Sequence, residues 1–155
     1  SLGLCVYLLL SKLFWKNLAV FLETDERSLR KDFMDFSGFR EEVYSLIKRL
    51  KKMGYKLGLL SNQIEDWLEE IIETHRLDQI FDVIVTSYKS RIAKPDISIF
   101  NEIIERLEVK TTDCIFIDDL QENLEPAKKL GIHTILFKNN KQLIEDLEKF
   151  GVKVK

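Results

Sequence analysis

Two adjacent carboxylates, Asp118 and Asp119, end the apolar run Cys114-Ile115-Phe116-Ile117. Such a run reads as a strand buried on both faces. The crevice outside the C-terminal ends of parallel strands is where open α/β sheets bind ligands, so acids at that point are candidate metal ligands or acid/base groups. A simpler use is open to them, as a cap for the helix that begins near Gln121. One acid would suffice for that, and the second must tolerate a like charge beside it, which a bound cation would relieve. Ser61 holds a comparable place, at the end of Tyr55-Lys56-Leu57-Gly58-Leu59-Leu60, where a hydroxyl beside the free N–H groups of a helix start suits a phosphate oxygen. Asn62 has a structural explanation: as N-cap, with Glu65 three residues on, it resembles a capping box. Lys94, in a loop before Pro95-Asp96, gains meaning only if it faces the two acids.

The elements that carry these residues alternate regularly. Val43, Leu46, Ile47 and Leu50 form an apolar stripe at helical spacing, which Gly54 ends as a left-handed cap. After the strand that leads to Ser61, a helix runs from Gln63 to about Thr74 with Ile64, Trp67, Leu68, Ile71 and Ile72 inward. The strand Phe81 to Thr86 follows, then a loop from Ser87 to Ala93. A helix with Pro95 in its first turn carries Ile97, Phe100, Ile103, Ile104 and Leu107. The acid-bearing strand leads to a helix packed through Ala127 and Leu130 and closed by Gly131. A strand from Ile132 to Phe137 and a last helix complete the chain. Strand and helix alternate four times from Tyr55, which predicts an α/β fold: a Rossmann-like, three-layer parallel sheet with helices on both faces. Ser61, Lys94, Asp118 and Asp119 each follow a strand and so belong to one edge of that sheet. His133 falls within a strand, away from its ends, and is expected to be structural; His75 follows a helix end with no evident partner.

Composition narrows the function classes. The 155 residues are 45% hydrophobic and 32% charged with a formal charge of −2, ordinary for one soluble domain and without the basic surface a nucleic-acid partner needs. The basic cluster Lys48, Arg49, Lys51 and Lys52 sits near a helix end, where it suits the dipole. Cys5 and Cys114 show neither metal-site nor redox spacing, which fits a reducing, cytoplasmic setting. Leu2 to Leu10 is too short to span a bilayer and lacks the basic flank of a signal peptide, so no membrane partner is expected.

Taken together, Leu59-Leu60-Ser61-Asn62, then Ala93-Lys94-Pro95-Asp96 with Ile99-Phe100, then Ile115-Phe116-Ile117-Asp118-Asp119 with Asn123, Ala127, Leu130 and Gly131 resemble three motifs of the haloacid dehalogenase-like (HAD) hydrolase superfamily. The nearest likeness is to its helical-cap subfamily, which includes sugar-phosphate phosphatases and the N-terminal phosphatase domain of soluble epoxide hydrolase. The resemblance divides the chain into a partial helical cap, residues 1–38, and an α/β core, residues 39–155. It implies a Mg²⁺-dependent phosphatase acting on a small phosphorylated metabolite. Asp119 would hold the metal with Asp118 nearby or bound through water. Ser61 and Asn62 would contact the phosphoryl group, Lys94 would balance its charge, and Asn123 would support the site. Dehalogenases of the superfamily dispense with the metal and lack the Asp-Asp pair.

The resemblance also marks a departure. The family's first motif is a buried strand ending in Asp-x-Asp, which supplies nucleophile and general acid/base, and no such motif occurs here: Asp25, Asp32 and Asp35 follow no apolar strand. The expectation is a truncated or inactive HAD phosphatase with weak or absent Mg²⁺ binding; the alternative is a non-catalytic phosphate- or metal-binding module on the same fold. A phosphoacceptor receiver domain uses similar residues in a different order, since receivers place the acid pair first and Lys-Pro last. The family places the first-motif strand between those ending at Leu60 and Ile117. Three fillings of that slot are open: Leu4 to Leu10, a strand from a partner chain or second copy, or collapse of the two neighbours into direct pairing. Leu4 to Leu10 is expected to stay helical in the cap, although it also reads as a buried strand.

Overall fold

A computed structural model describes Asp25, residues 41–62 and residues 65–154. Residues 1–38, expected from the resemblance to be a partial cap and including Leu4 to Leu10, lie outside the described residues apart from Asp25. The described chain opens with α1, Glu41–Lys52, whose acids Glu41 and Glu42 lie in the first turn and whose bases Arg49, Lys51 and Lys52 lie in the last, both favourable to the helix dipole. Leu46, Ile47 and Leu50 are its buried side. Gly54, at φ +86°, then reverses the chain as a left-handed residue, with its N–H donating to the Lys51 carbonyl at 3.0 Å.

Four strand–helix units follow. They are β1 Gly58–Ser61 with α2 Glu65–His75, β2 Val83–Thr86 with α3 Ser87–Ser90 and α4 Ile97–Leu107, β3 Ile115–Asp118 with α5 Gln121–Lys129, and β4 His133–Leu136 with α6 Asn140–Lys149. The fold is the Rossmann-like α/β arrangement expected from the alternation. The strands are four residues each, shorter than the apolar runs suggest, because only the stretches that reach a neighbour's backbone form ladders. Gly58 has a packing reason. A Cβ there would lie 2.8 Å from Ile103 Cδ1 and 2.9 Å from Leu107 Cδ1, so the absence of a side chain lets α4 approach β1.

Three local expectations are corrected. Residues Ser87–Ser90 are helical rather than loop. Pro95 precedes α4 instead of occupying its first turn; Asp96 is the N-cap, its carboxylate accepting from the Ser98 N–H at 2.8 Å, and that bond holds the carboxyl below its usual range. His133 is the first residue of β4, not an interior one, with its ring exposed and 5.0 Å from that of Phe150. His75, for its part, is engaged: the Tyr44 ring meets it edge-on at 5.8 Å, and the Tyr44 hydroxyl donates to its carbonyl at 2.8 Å.

The strands pair in parallel as β1 with β2 and as β3 with β4, and among the described residues no ladder joins β1 to β3. Collapse of these two strands into direct pairing is therefore excluded. The two pairs nevertheless share both apolar faces. Leu59, Ile117 and Ile135 pack in one cluster with α1, α2 and α6; Leu60, Val85 and Phe116 pack in the other with α4 and α5. Alternate residues of all four strands point the same two ways, which places both pairs in one layer.

Candidate functional site

Lys94 and Asp118 form the centre of the site. Lys94 reaches the sheet edge from the turn after α3, and its Nζ donates to Asp118 Oδ2 at 2.7 Å with both side chains at 0% exposure. The ammonium also lies 5.4 Å from the centroid of the Phe116 ring, two residues back along β3. Asp118 Oδ1 accepts from the Leu120 N–H and from Asn123 Nδ2, each at 2.9 Å. Both carboxylate oxygens are thus committed, one to an ammonium and one to two neutral donors, which is how a buried charge avoids an uncompensated desolvation cost.

Asn62 takes a different role from the one its spacing suggests. Among the described residues no capping box is recorded: Asn62 Oδ1 accepts from the Lys94 N–H at 2.8 Å, and its Nδ2 donates to the Lys94 carbonyl at 2.8 Å. The competing demand is tertiary. A lysine buried at 5% exposure needs its own peptide groups satisfied, and an amide side chain is both donor and acceptor. The network Asn62–Lys94–Asp118–Asn123 therefore runs from the end of β1 through the Lys94 turn and β3 to α5, and ties together two strand pairs that no ladder joins among the described residues.

Ser61 ends β1 buried, in register with Thr86 at the end of β2. Asp119 follows Asp118 and is exposed, with no hydrogen bond or ion pair recorded to it among the described residues. Of the acid pair, Asp119 is thus the exposed one, while Asp118 pairs with Lys94. Neither caps α5 in the ordinary way: its N-cap is Leu120, with no side-chain cap bond. Among the described residues there is no group of three or more His, Cys, Asp or Glu side chains placed to hold a metal. The residues present fit Mg²⁺ only as a cation that takes one carboxylate from the protein and its other ligands from phosphate oxygens and water, a common arrangement for this ion.

The residue that sequence reasoning missed as a site element is Phe116, whose ring lies beneath the Lys94 ammonium; as an apolar residue in a buried run it gave no signal. The double engagement of the Lys94 backbone by Asn62 was also hidden, although an amide at a strand end was visible.

Comparison with known proteins bears on the family and the fold. Residues 10–137 match the family model described as haloacid dehalogenase-like hydrolase. The chain is 31% identical over 107 residues to bifunctional epoxide hydrolase 2 of Mus musculus, covering 64% of this chain and 19% of that protein. It is 27% identical over 147 residues to a phosphatase of Mycobacterium tuberculosis, covering 89% of this chain and 68% of that one. A HAD family enzyme of Bacteroides thetaiotaomicron, solved as a magnesium complex, superposes with a TM-score of 0.55 at 29% identity over 62% of this chain and 52% of that one. The chain thus spans only about a fifth of the epoxide hydrolase it matches. With a matched region that includes Ser61, Lys94, Asp118 and Asp119, the chain belongs to the haloacid dehalogenase-like hydrolases.

Proposed function

We propose that these 155 residues hold the phosphoryl group of a small phosphorylated metabolite in the manner of a HAD phosphatase, and bind it without turning it over. The observation that supports this reading is the buried Lys94–Asp118 pair, held at 2.7 Å at the strand edge that also carries Ser61 and Asp119. An ammonium fixed there by a carboxylate and an aromatic face balances the charge of a phosphate oxygen, and the Ser61 hydroxyl can donate to another. Mg²⁺ held through Asp119 would supply charge neutralisation at the phosphoryl oxygens, as it does in phosphoryl-transfer sites generally. The magnesium in the Bacteroides thetaiotaomicron enzyme supports that assignment.

Covalent transfer needs a nucleophile, and no Asp-x-Asp after an apolar strand occurs in this sequence. Asp118 does not substitute for one, because both its oxygens are engaged. No helix among the described residues is long and apolar enough to cross a membrane. Cys114 is a buried free thiol, compatible with a reducing, cytoplasmic setting. The test is turnover of p-nitrophenyl phosphate with Mg²⁺, alongside calorimetric titration with inorganic phosphate. The expected outcome is phosphate binding that weakens in Asp119→Ala when Mg²⁺ is present, with no turnover. Robust turnover abolished by Asp119→Ala would overturn the non-catalytic reading.

A further inference from the structure

The polar side chains buried among the described residues gather at one edge: Ser61, Thr86 and Asp118 end strands, Lys94 reaches them from its turn, and Asn123 stands in the first turn of α5. The proposed site uses all of them except Thr86. Its hydroxyl and Asn140 Oδ1 are the buried side-chain oxygens with no hydrogen-bond partner among the described residues, and of these two residues only Thr86 is buried as a whole, at 1% exposure. A buried hydroxyl that makes no bond is costly to the fold, so its retention needs a cause.

The local uses open to this hydroxyl are not taken. Thr86 is the N-cap of α3 with extended backbone, φ −128° and ψ 141°, the conformation in which a threonine ordinarily accepts from an N–H of the first turn, yet its side chain makes no cap bond. The Tyr88 hydroxyl is near enough for Thr86 to influence its titration. Tyr88, however, gives its proton to Glu69 Oε1 at 2.6 Å, and no hydrogen bond joins the two hydroxyls. What Thr86 does have is a neighbour of its own kind. β1 and β2 run parallel with Ser61 opposite Thr86. Leu59 and Ile84 pack toward the face of α1 and α2, and Leu60 and Val85 toward that of α4, so the alternation sends Ser61 and Thr86 to the same side. Neighbouring strands lie about 4.8 Å apart and a hydroxyl reaches about 2.8 Å to its acceptor, so the two can meet different oxygens of one phosphoryl group.

We propose that Thr86 is a second hydroxyl of the phosphoryl-binding edge, donating beside Ser61 to an oxygen of the bound oxyanion. This role rests on the function proposed for the site. The hydroxyl is unpaired in the free protein because its acceptor arrives with the ligand. Threonine at this position therefore lowers the stability of the free chain and raises its affinity for phosphate, the trade expected of a residue kept for binding.

The test compares Thr86→Val, which replaces the hydroxyl by a methyl group and keeps the branched side chain, with Thr86→Ser, which keeps the hydroxyl, both in the 155-residue chain. Two quantities are read, the melting temperature without ligand and the calorimetric Kd for inorganic phosphate in the presence of Mg²⁺. Thr86→Val is expected to leave the melting temperature unchanged or raise it, by up to about 4 °C. It should weaken phosphate binding about threefold to tenfold, the size of one hydrogen bond, while Thr86→Ser keeps the affinity of the wild type. A lower melting temperature in Thr86→Val, whatever its affinity, would show the hydroxyl partnered within the fold, to Tyr88 or to water, and overturn the proposal. A loss of affinity in Thr86→Ser as large as in Thr86→Val would do the same, by assigning the effect to packing. Phosphate binding that is intact in the wild type and unchanged in Thr86→Val would remove Thr86 from the site and leave the proposed function standing. A wild-type chain that binds no phosphate would remove that function, and the role of Thr86 with it.

Discussion

Two ion pairs of the same length follow β2. Lys94 meets Asp118 at 2.7 Å with both side chains at 0% exposure, and Lys89 meets Glu69 at 2.7 Å with the partners 63% and 45% exposed. Distance alone does not tell them apart. At the surface, water and salt screen the charges and ordering the side chains offsets most of the gain, so the Lys89–Glu69 pair is a minor contributor. In the interior the charges have lost their hydration, and each depends on the other and on its remaining hydrogen bonds. The buried pair is expensive to keep and more expensive to break, which is the signature of a group held for its position rather than for stability.

The largest effect that would test this contrast is the loss of one buried partner. Lys94→Met leaves the Asp118 carboxylate buried against two neutral donors and should destabilise the chain by about 3–5 kcal/mol, read as a lower urea midpoint with unchanged slope. Replacing both charges, Lys94→Met with Asp118→Leu, should recover much of that loss, since apolar residues of similar volume substitute well for a buried pair. A double variant as unstable as the single one would show that the Leu120 and Asn123 donors, not the ion pair, dominate the local energetics.

A smaller effect is expected at Asn62. Asn62→Ala frees the N–H and carbonyl of Lys94 together, at a cost of roughly 1–3 kcal/mol if the groups stay buried. A change in phosphate affinity without a comparable loss of stability would mean that the amide positions the lysine rather than supporting the fold.

The smallest effect belongs to the surface pair. Hydrogen bonds from Lys89 and Tyr88 hold the Glu69 carboxyl below its usual range. A depressed carboxyl contributes stability above its unfolded pKa and loses it as the pH falls through its folded value. Glu69→Gln should therefore lower stability by less than about 1 kcal/mol near neutral pH, with the difference vanishing in acid. A loss as large as that of Lys94→Met would erase the distinction between the two pairs.

Much of this was legible in the sequence because it depends on local pattern. The stripe of Leu46, Ile47 and Leu50, the buried run ending at Asp118, and the glycines at 54 and 131 report on their own elements, and both glycines adopt positive φ. Parallel connectivity then assigns Ser61, Lys94 and Asp118 to one strand edge without reference to any contact. The local signal failed where two satisfactory uses competed for one residue. Asn62 has the spacing of a helix cap, but its partner is 32 residues away, and Asp96 proved a better cap for α4 than Pro95 an opening residue.

The sequence by itself determined the alternation of strands and helices, the edge at which the polar residues gather, and the absence from these 155 residues of an Asp-x-Asp after an apolar strand. Periodicity and chain direction are enough for each of these. Only the tertiary structure decided which acid answers Lys94, what Asn62 holds, and that β1 and β3 share two apolar faces without pairing. Those facts depend on contacts between residues that are 24 or more positions apart, and the energy of a buried charge or an unpaired peptide group is set by its surroundings, not by its neighbours along the chain.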